Sequence, residues 1–215
     1  MILPLLVALA TLNPVGHVSD FAQLLRPETV ANLEETLRNF EARTGSEIAV
    51  VTIDTHGSDE TIETYAVKLF EKWGIGKKGQ DNGLLLLIAR DDREMRIEVG
   101  YGLEPIITDI ESSRIIREVL TPAFQTGDYD GGVTRAIERI MGDIGRGEAP
   151  PEKNNYWPII IFIIIWLILF IIARRNKSKI IWFPGPPRGG GHSSGGGFGG
   201  FGGGMSGGGG ASGRW

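Results

Sequence analysis

Apolar side chains recur at helical spacing from Pro27 to Thr44, at Val30, Leu33, Leu37 and Phe40, which predicts a helix with one buried face. Pro27 suits the first helical turn, where a missing N–H costs nothing, and Gly45 is a natural stop. Glu47 to Asp54, EIAVVTID, is rich in β-branched residues and predicts a buried strand. After a His56-Gly57-Ser58-Asp59 turn able to cap a helix, Ile62, Tyr65, Ala66, Leu69, Phe70 and Trp73 fall on a single helical face. The uninterrupted apolar run Leu84 to Ala89 predicts a central strand. Arg90 to Arg93 turns the chain. Met95, Ile97 and Val99 then alternate with Arg96 and Glu98, so the second strand of an antiparallel hairpin has one apolar and one wetter face.

Thr108-Asp109-Ile110-Glu111 fits a capping box. The helix it opens carries Ile110, Ile115, Ile116, Val119 and Leu120 and is expected to break at Pro122. An Asp128-Tyr129-Asp130-Gly131-Gly132 turn leads to a last helix with Val133, Ala136, Ile137, Ile140, Met141 and Ile144 on one face. Both ends of the chain differ in kind. Met1 to Leu12 is apolar and includes Ala8-Leu9-Ala10, the pattern of a signal peptide with a small-residue cleavage site, without a basic start. Trp157 to Ala173 is apolar throughout except Pro158; at about 1.5 Å per residue it reaches roughly 26 Å, enough for a bilayer core. Tyr156 and Trp157 flank one end like an interfacial belt, and Arg174, Arg175, Lys177 and Lys179 crowd the other. From Gly185 to Trp215 there are 17 glycines, a composition expected to bury no core and to stay disordered.

Charge sharpens this layout. All 26 acidic residues lie at or before Glu152 and 16 of the 22 basic residues precede Asn154, so that part carries −10; the six remaining bases make the rest +6. The acidic part argues against nucleic acid as a partner and for cations or cationic surfaces. The positive-inside rule places the basic end in the cytoplasm and the acidic domain outside it. With no cysteine, disulfides, thiol catalysis and Cys-based zinc sites are excluded.

The glycine-rich loop Gly74 to Gly83, GIGKKGQDNG, follows a helix and precedes a strand. It lacks the Walker spacing of a phosphate-binding loop. It suits either a cation site using Asp81 or a plain connector in which Asn82-Gly83 supplies left-handed backbone angles.

Several of these motifs together resemble the TPM-domain family: the EIAVVTID strand, Tyr65-Ala66, Trp73-Gly74-Ile75-Gly76, Asp81-Asn82-Gly83, Asp91-Asp92-Arg93, Gly100-Tyr101-Gly102-Leu103-Glu104, Asp109 and Gly127-Asp128-Tyr129. The resemblance spans about Ser19 to Ile144. Arg26 departs from it, standing where the family usually has Ser or a similar cap. The resemblance implies a three-layer α/β/α sandwich with a small mixed sheet. It also implies divalent-cation binding, calcium in particular, and an acid-phosphatase activity for a plant member. The layout of bacterial members gives the expected domains: a signal peptide at 1–18, the TPM domain at 19–146, a linker at 147–156, a transmembrane helix at 157–173, and a basic juxtamembrane segment with a disordered Gly-rich tail at 174–215.

Asp81, Glu104 and Asp109 are the candidate metal ligands. Each stands at an element end, and such ends can converge on one edge of a sheet. Calcium takes six to eight oxygen donors, so carboxylates with loop carbonyls suit it. Asp109 also has a simpler role at a helix start, as Asp81 has in a turn. For phosphatase chemistry Arg93 could hold a phosphate as a fork and Asp81 could act as nucleophile or acid. His17, His56 and His192 show no metal-ligand spacing. The expected function is a membrane-anchored, extracytoplasmic module that binds a divalent cation and serves assembly or repair of membrane-protein complexes. A weak metal-assisted acid phosphatase is the alternative, and a passive tether the third reading.

Overall fold

Five strands form one mixed sheet in the spatial order of the sequence. In the computed structural model, which describes residues 12–147 and 200–215, β1 (Val18–Asp20) runs parallel to β2 (Glu47–Ile53), and β2 parallel to β3 (Gly83–Ala89). β3 pairs antiparallel with β4 (Glu94–Gly100), the expected hairpin, and β4 pairs antiparallel with β5 (Ser206–Arg214). The helices are α1 (Pro27–Thr44), α2 (Ile62–Trp73), α3 (Asp109–Ile115), α4 (Thr121–Gln125) and α5 (Tyr129–Arg146).

Side-chain alternation along the strands feeds two cores. Ile48, Val50, Leu84, Leu86, Ile88, Met95, Ile97 and Val99 face α1 and α3 to α5, where Leu37, Phe40, Ile115, Ile137 and Ile140 close over them. Ala49, Val51, Ile53, Leu85, Leu87 and Ala89 face the apolar stripe of α2. The fold is therefore α/β with helices on both faces of a mixed sheet.

Helix ends follow local chemistry. Thr108 accepts the Glu111 N–H at 3.2 Å, and Gly45 and Gly74 close α1 and α2 in left-handed conformation. Arg26 gives α1 no side-chain cap; instead Asp130 of α5 accepts both the Arg26 backbone N–H and its Nε, each at 2.9 Å.

Five expectations are corrected. The glycine-rich tail is not disordered over residues 206–214: it is β5. Glycine has low strand propensity, so the pairing edge and its neighbours, not the tail's own residues, define the strand. Pro122 does not end its helix. A five-residue π-helical turn, Ile116–Leu120, precedes it, and Pro122 then stands in the first turn of α4, where its lost N–H is harmless. Residues 12–18, assigned to the leader, are built into the domain: Val18 pairs with Val50, and the Leu12 carbonyl accepts from Lys72 Nζ at 2.7 Å and Trp73 Nε1 at 3.0 Å. Left-handed backbone in the loop before β3 falls at Gly76, Gly79 and Asp81 (φ 94°, 81° and 51°) rather than at Asn82-Gly83, while the buried Asn82 accepts the Lys77 N–H and donates to the Gly45 carbonyl. Arg96 and Glu98 do not face water; both are buried. The rest of the leader, most of the linker, the expected span at 157–173 and residues 174–199 lie outside the described residues. Among the described residues no helix is long and apolar enough to cross a membrane.

Candidate functional site

The densest polar construction lies along β4 and the strand that covers it. β4 and β5 pair from Glu94↔Arg214 through Met95↔Gly213, Arg96↔Ser212, Ile97↔Ala211 and Glu98↔Gly210 to Val99↔Gly209, then a bulge shifts the register to Gly100↔Ser206. Glycine is required by contact. A Cβ at Gly210, which has φ 119°, would lie far inside van der Waals contact distance of the Ile97 carbonyl oxygen, and one at Gly213 would meet Ile116 Cγ2.

Beneath β5 sits a buried ion pair. Arg96 Nη2 and Nε donate to Glu98 Oε2 at 2.8 and 3.0 Å. The same Nη2 donates to the carbonyls of Gly208 at 2.7 Å and Gly209 at 3.2 Å. Ser206 Oγ donates to the other oxygen of Glu98. Burial pushes the Glu98 carboxyl above its ordinary range, against the bonds from Ser206 and Arg96 that favour the anion. A buried pair of this kind needs its remaining hydrogen bonds met, and here the tail meets several of them.

Carboxylates continue along the whole tail. Glu47, buried at the start of β2, accepts the N–H of Gly202 at 2.9 Å and that of Gly76 at 2.8 Å, so it ties the tail to the Gly74–Gly83 loop. That loop also gives its Gly74 and Gly76 carbonyls to the N–H groups of Gly203 and Gly204. Asp81 Oδ1 accepts the Met205 N–H at 3.1 Å, and Asp109 Oδ1 the Gly210 N–H at 2.7 Å. Glu104 stands beside Gly209, whose Cβ, if present, would be 2.6 Å from Glu104 Oε1. Ser212 hydrogen-bonds Glu63 and holds its carboxyl below the usual range. Arg214 pairs with Glu94, which also bonds His56 Nε2 at 2.9 Å.

Aromatic contacts fix both ends. Phe201 stacks on Trp73, centroids 6.1 Å apart and planes 12° apart, and meets His17 edge-on. Trp215 packs edge-on against Phe124 at 4.9 Å and Tyr129 at 6.3 Å. The Trp215 backbone N–H donates to the Arg93 carbonyl.

The sequence-derived candidates therefore divide. Asp81, Glu104 and Asp109 lie on one edge, strung along tail residues 205–210. Arg93 lies at the β3–β4 turn, with φ 52°, at the opposite end of the hairpin from Asp81. Seven residues of β3 separate them, roughly 23 Å at about 3.3 Å per residue, so the two do not serve one phosphate.

A resident cation fits this arrangement poorly. No group of three His, Asp or Glu side chains among the described residues could hold a metal ion, and Asp81 and Asp109 each already accept a tail N–H. Residues the sequence did not single out, Glu47, Arg96, Glu98 and Glu94, carry much of the contact. The signal that could have found them is charge inside strand segments, at positions expected to be covered.

Comparison with known proteins gives the frame. The family profile described as the TPM domain matches residues 18–143. The N-terminal domain of a protein from P. gingivalis, solved by solution NMR, is 34% identical, with a TM-score of 0.56 over 60% of this chain and 82% of that one. The NMR structure of the BA42 protein from the psychrophilic bacterium Bizionia argentinensis is 19% identical, with a TM-score of 0.50 over 60% of this chain and 88% of that one; it is similar in fold. No curated protein matches the chain.

Proposed function

This chain belongs to the TPM-domain family, and we propose that its domain is an interaction module whose β4 edge receives a glycine-rich strand. The observation that carries this is the row of carboxylates, Glu47, Asp81, Asp109, Glu63 and Glu94, each bonded to residues 202–214. Strand addition supplies main-chain affinity, and side-chain pockets supply selectivity. Here Gly210 and Gly213 exclude larger residues, Ser206 answers the buried Glu98, and Phe201 and Trp215 anchor the two ends. The chain's own tail fills the edge. A strand of the same chemistry, supplied by a membrane-protein partner, would compete for it. An apolar run at 157–173 that anchors the chain without carrying the tail to the other side would hold the module at a membrane surface, where such a partner is within reach.

The test uses the full chain and a labelled peptide of residues 200–215. Gly210→Val should loosen the chain's own tail and let the peptide bind, while the unmodified chain should resist it. Absence of binding to both proteins would contradict the proposal. Calcium added to the unmodified chain tests the cation reading directly: release of the tail at saturating metal would favour a cation held by Asp81, Glu104 and Asp109.

A further inference from the structure

We infer that the acidic domain and the glycine-rich tail lie on the same side of any membrane the chain meets. The inference rests on the strand-acceptor reading and, in geometry, on the pairing of residues 94–100 with 206–214. Paired strands stand about 4.8 Å apart, whereas a bilayer core is about 30 Å thick. Seven residues of β4 pair with β5, Trp215 rests on Phe124 and Tyr129, and Gly202 is bonded to Glu47 on β2. No such arrangement can form across a bilayer. A single crossing by the apolar run at 157–173 would put β5 in the cytoplasm and β4 outside it. The pairing therefore requires that the chain leave the domain at residue 147 and return to it at residue 200 on the same side.

The acidic groups add a second argument. Arg214 pairs with Glu94, and the tail's outward polar groups are met by the domain: the Gly210 N–H by Asp109 and the Gly208 carbonyl by Arg96. Open strand edges are a liability that proteins cover. Here the covering groups come from the domain itself, so the tail is a built part of the domain's own compartment rather than a transient visitor.

The absence of cysteine makes the test direct. In intact cells expressing the full chain, Glu35→Cys on the exposed face of α1 and, separately, Met205→Cys at an exposed tail position are exposed to a membrane-impermeant maleimide. The two should label alike, both before or both only after the membrane is opened. Labelling of one without the other would overturn the inference. A third variant, Ile97→Cys with Ala211→Cys, reports the pairing itself, because facing antiparallel residues are about 4.5–5.5 Å apart at Cα, within disulfide range. Its disulfide should form within one molecule. Like labelling without that disulfide would overturn the pairing of β4 with β5 and leave the shared side standing, so the two failures are distinguishable.

Discussion

The Asp109 carboxylate accepts the backbone N–H of Gly210 at 2.7 Å across 101 residues of sequence. An acid at the start of a helix is stabilised by the helix dipole alone, yet here its oxygen also closes the outer edge of a glycine strand. Asp109→Ala should weaken tail docking and leave the cores intact. Limited proteolysis should cut the tail of this variant several-fold faster, with the urea midpoint of the domain nearly unchanged.

Arg96 and Glu98 form the polar floor under β5. Removing one partner of a buried pair leaves an uncompensated charge, which costs about 3–5 kcal/mol. Arg96→Met should therefore destabilise the domain by about that amount in urea unfolding. A loss well under about 1 kcal/mol would mean that water reaches Glu98 and that β5 is not seated on it.

Trp215 binds through ring contacts with Phe124 and Tyr129. Such contacts are worth about 0.5–1.5 kcal/mol each beyond buried area. Trp215→Ala should shift tail docking by about 1–3 kcal/mol, read as faster amide exchange confined to residues 206–214, and Trp215→Phe should recover part of the loss.

Stability should depend on pH in two opposite ways. Burial raises the Glu98 carboxyl above its ordinary 4.5, so the folded state holds that proton more tightly. Its contribution is fully present below 4.5 and is lost as pH rises through the folded value. Asp128 is lowered by the Arg135 hydrogen bond and then by the Gly131 N–H. Its contribution is present above 3.8 and is lost as pH falls through the folded value. Urea midpoints across this range should lose the first slope in Glu98→Gln and the second in Asp128→Asn.

Much of this architecture is legible from residue spacing. α1 and α2 end where Gly45 and Gly74 stop the apolar period, and β2, β3 and β4 follow their β-branched and alternating runs. Asp81, Glu104 and Asp109 stand at element ends in the sequence, and in the fold they meet tail residues 205–210, a partner their positions do not announce. β5 is not legible, because Gly207 to Gly210 carry no side chains and hence no hydrophobic period. What defines that strand is distributed over Glu47, Asp81, Arg96, Glu98 and Asp109, up to 155 residues away. Arg96 and Glu98 read as a wetter face for the same reason: the layer that buries them arrives more than a hundred residues later in the chain. Pro122 misleads because the preceding π-helical turn absorbs the register change that a proline otherwise imposes.

The most direct measurement is amide hydrogen exchange on the full, unmodified chain. The paired N–H groups of residues 206–214 should be protected together with those of β4, and both should lose protection in Gly210→Val. Exchange of the 206–214 amides at the rate of an unstructured peptide, beside a protected β3–β4 hairpin, would contradict a tail that completes the sheet.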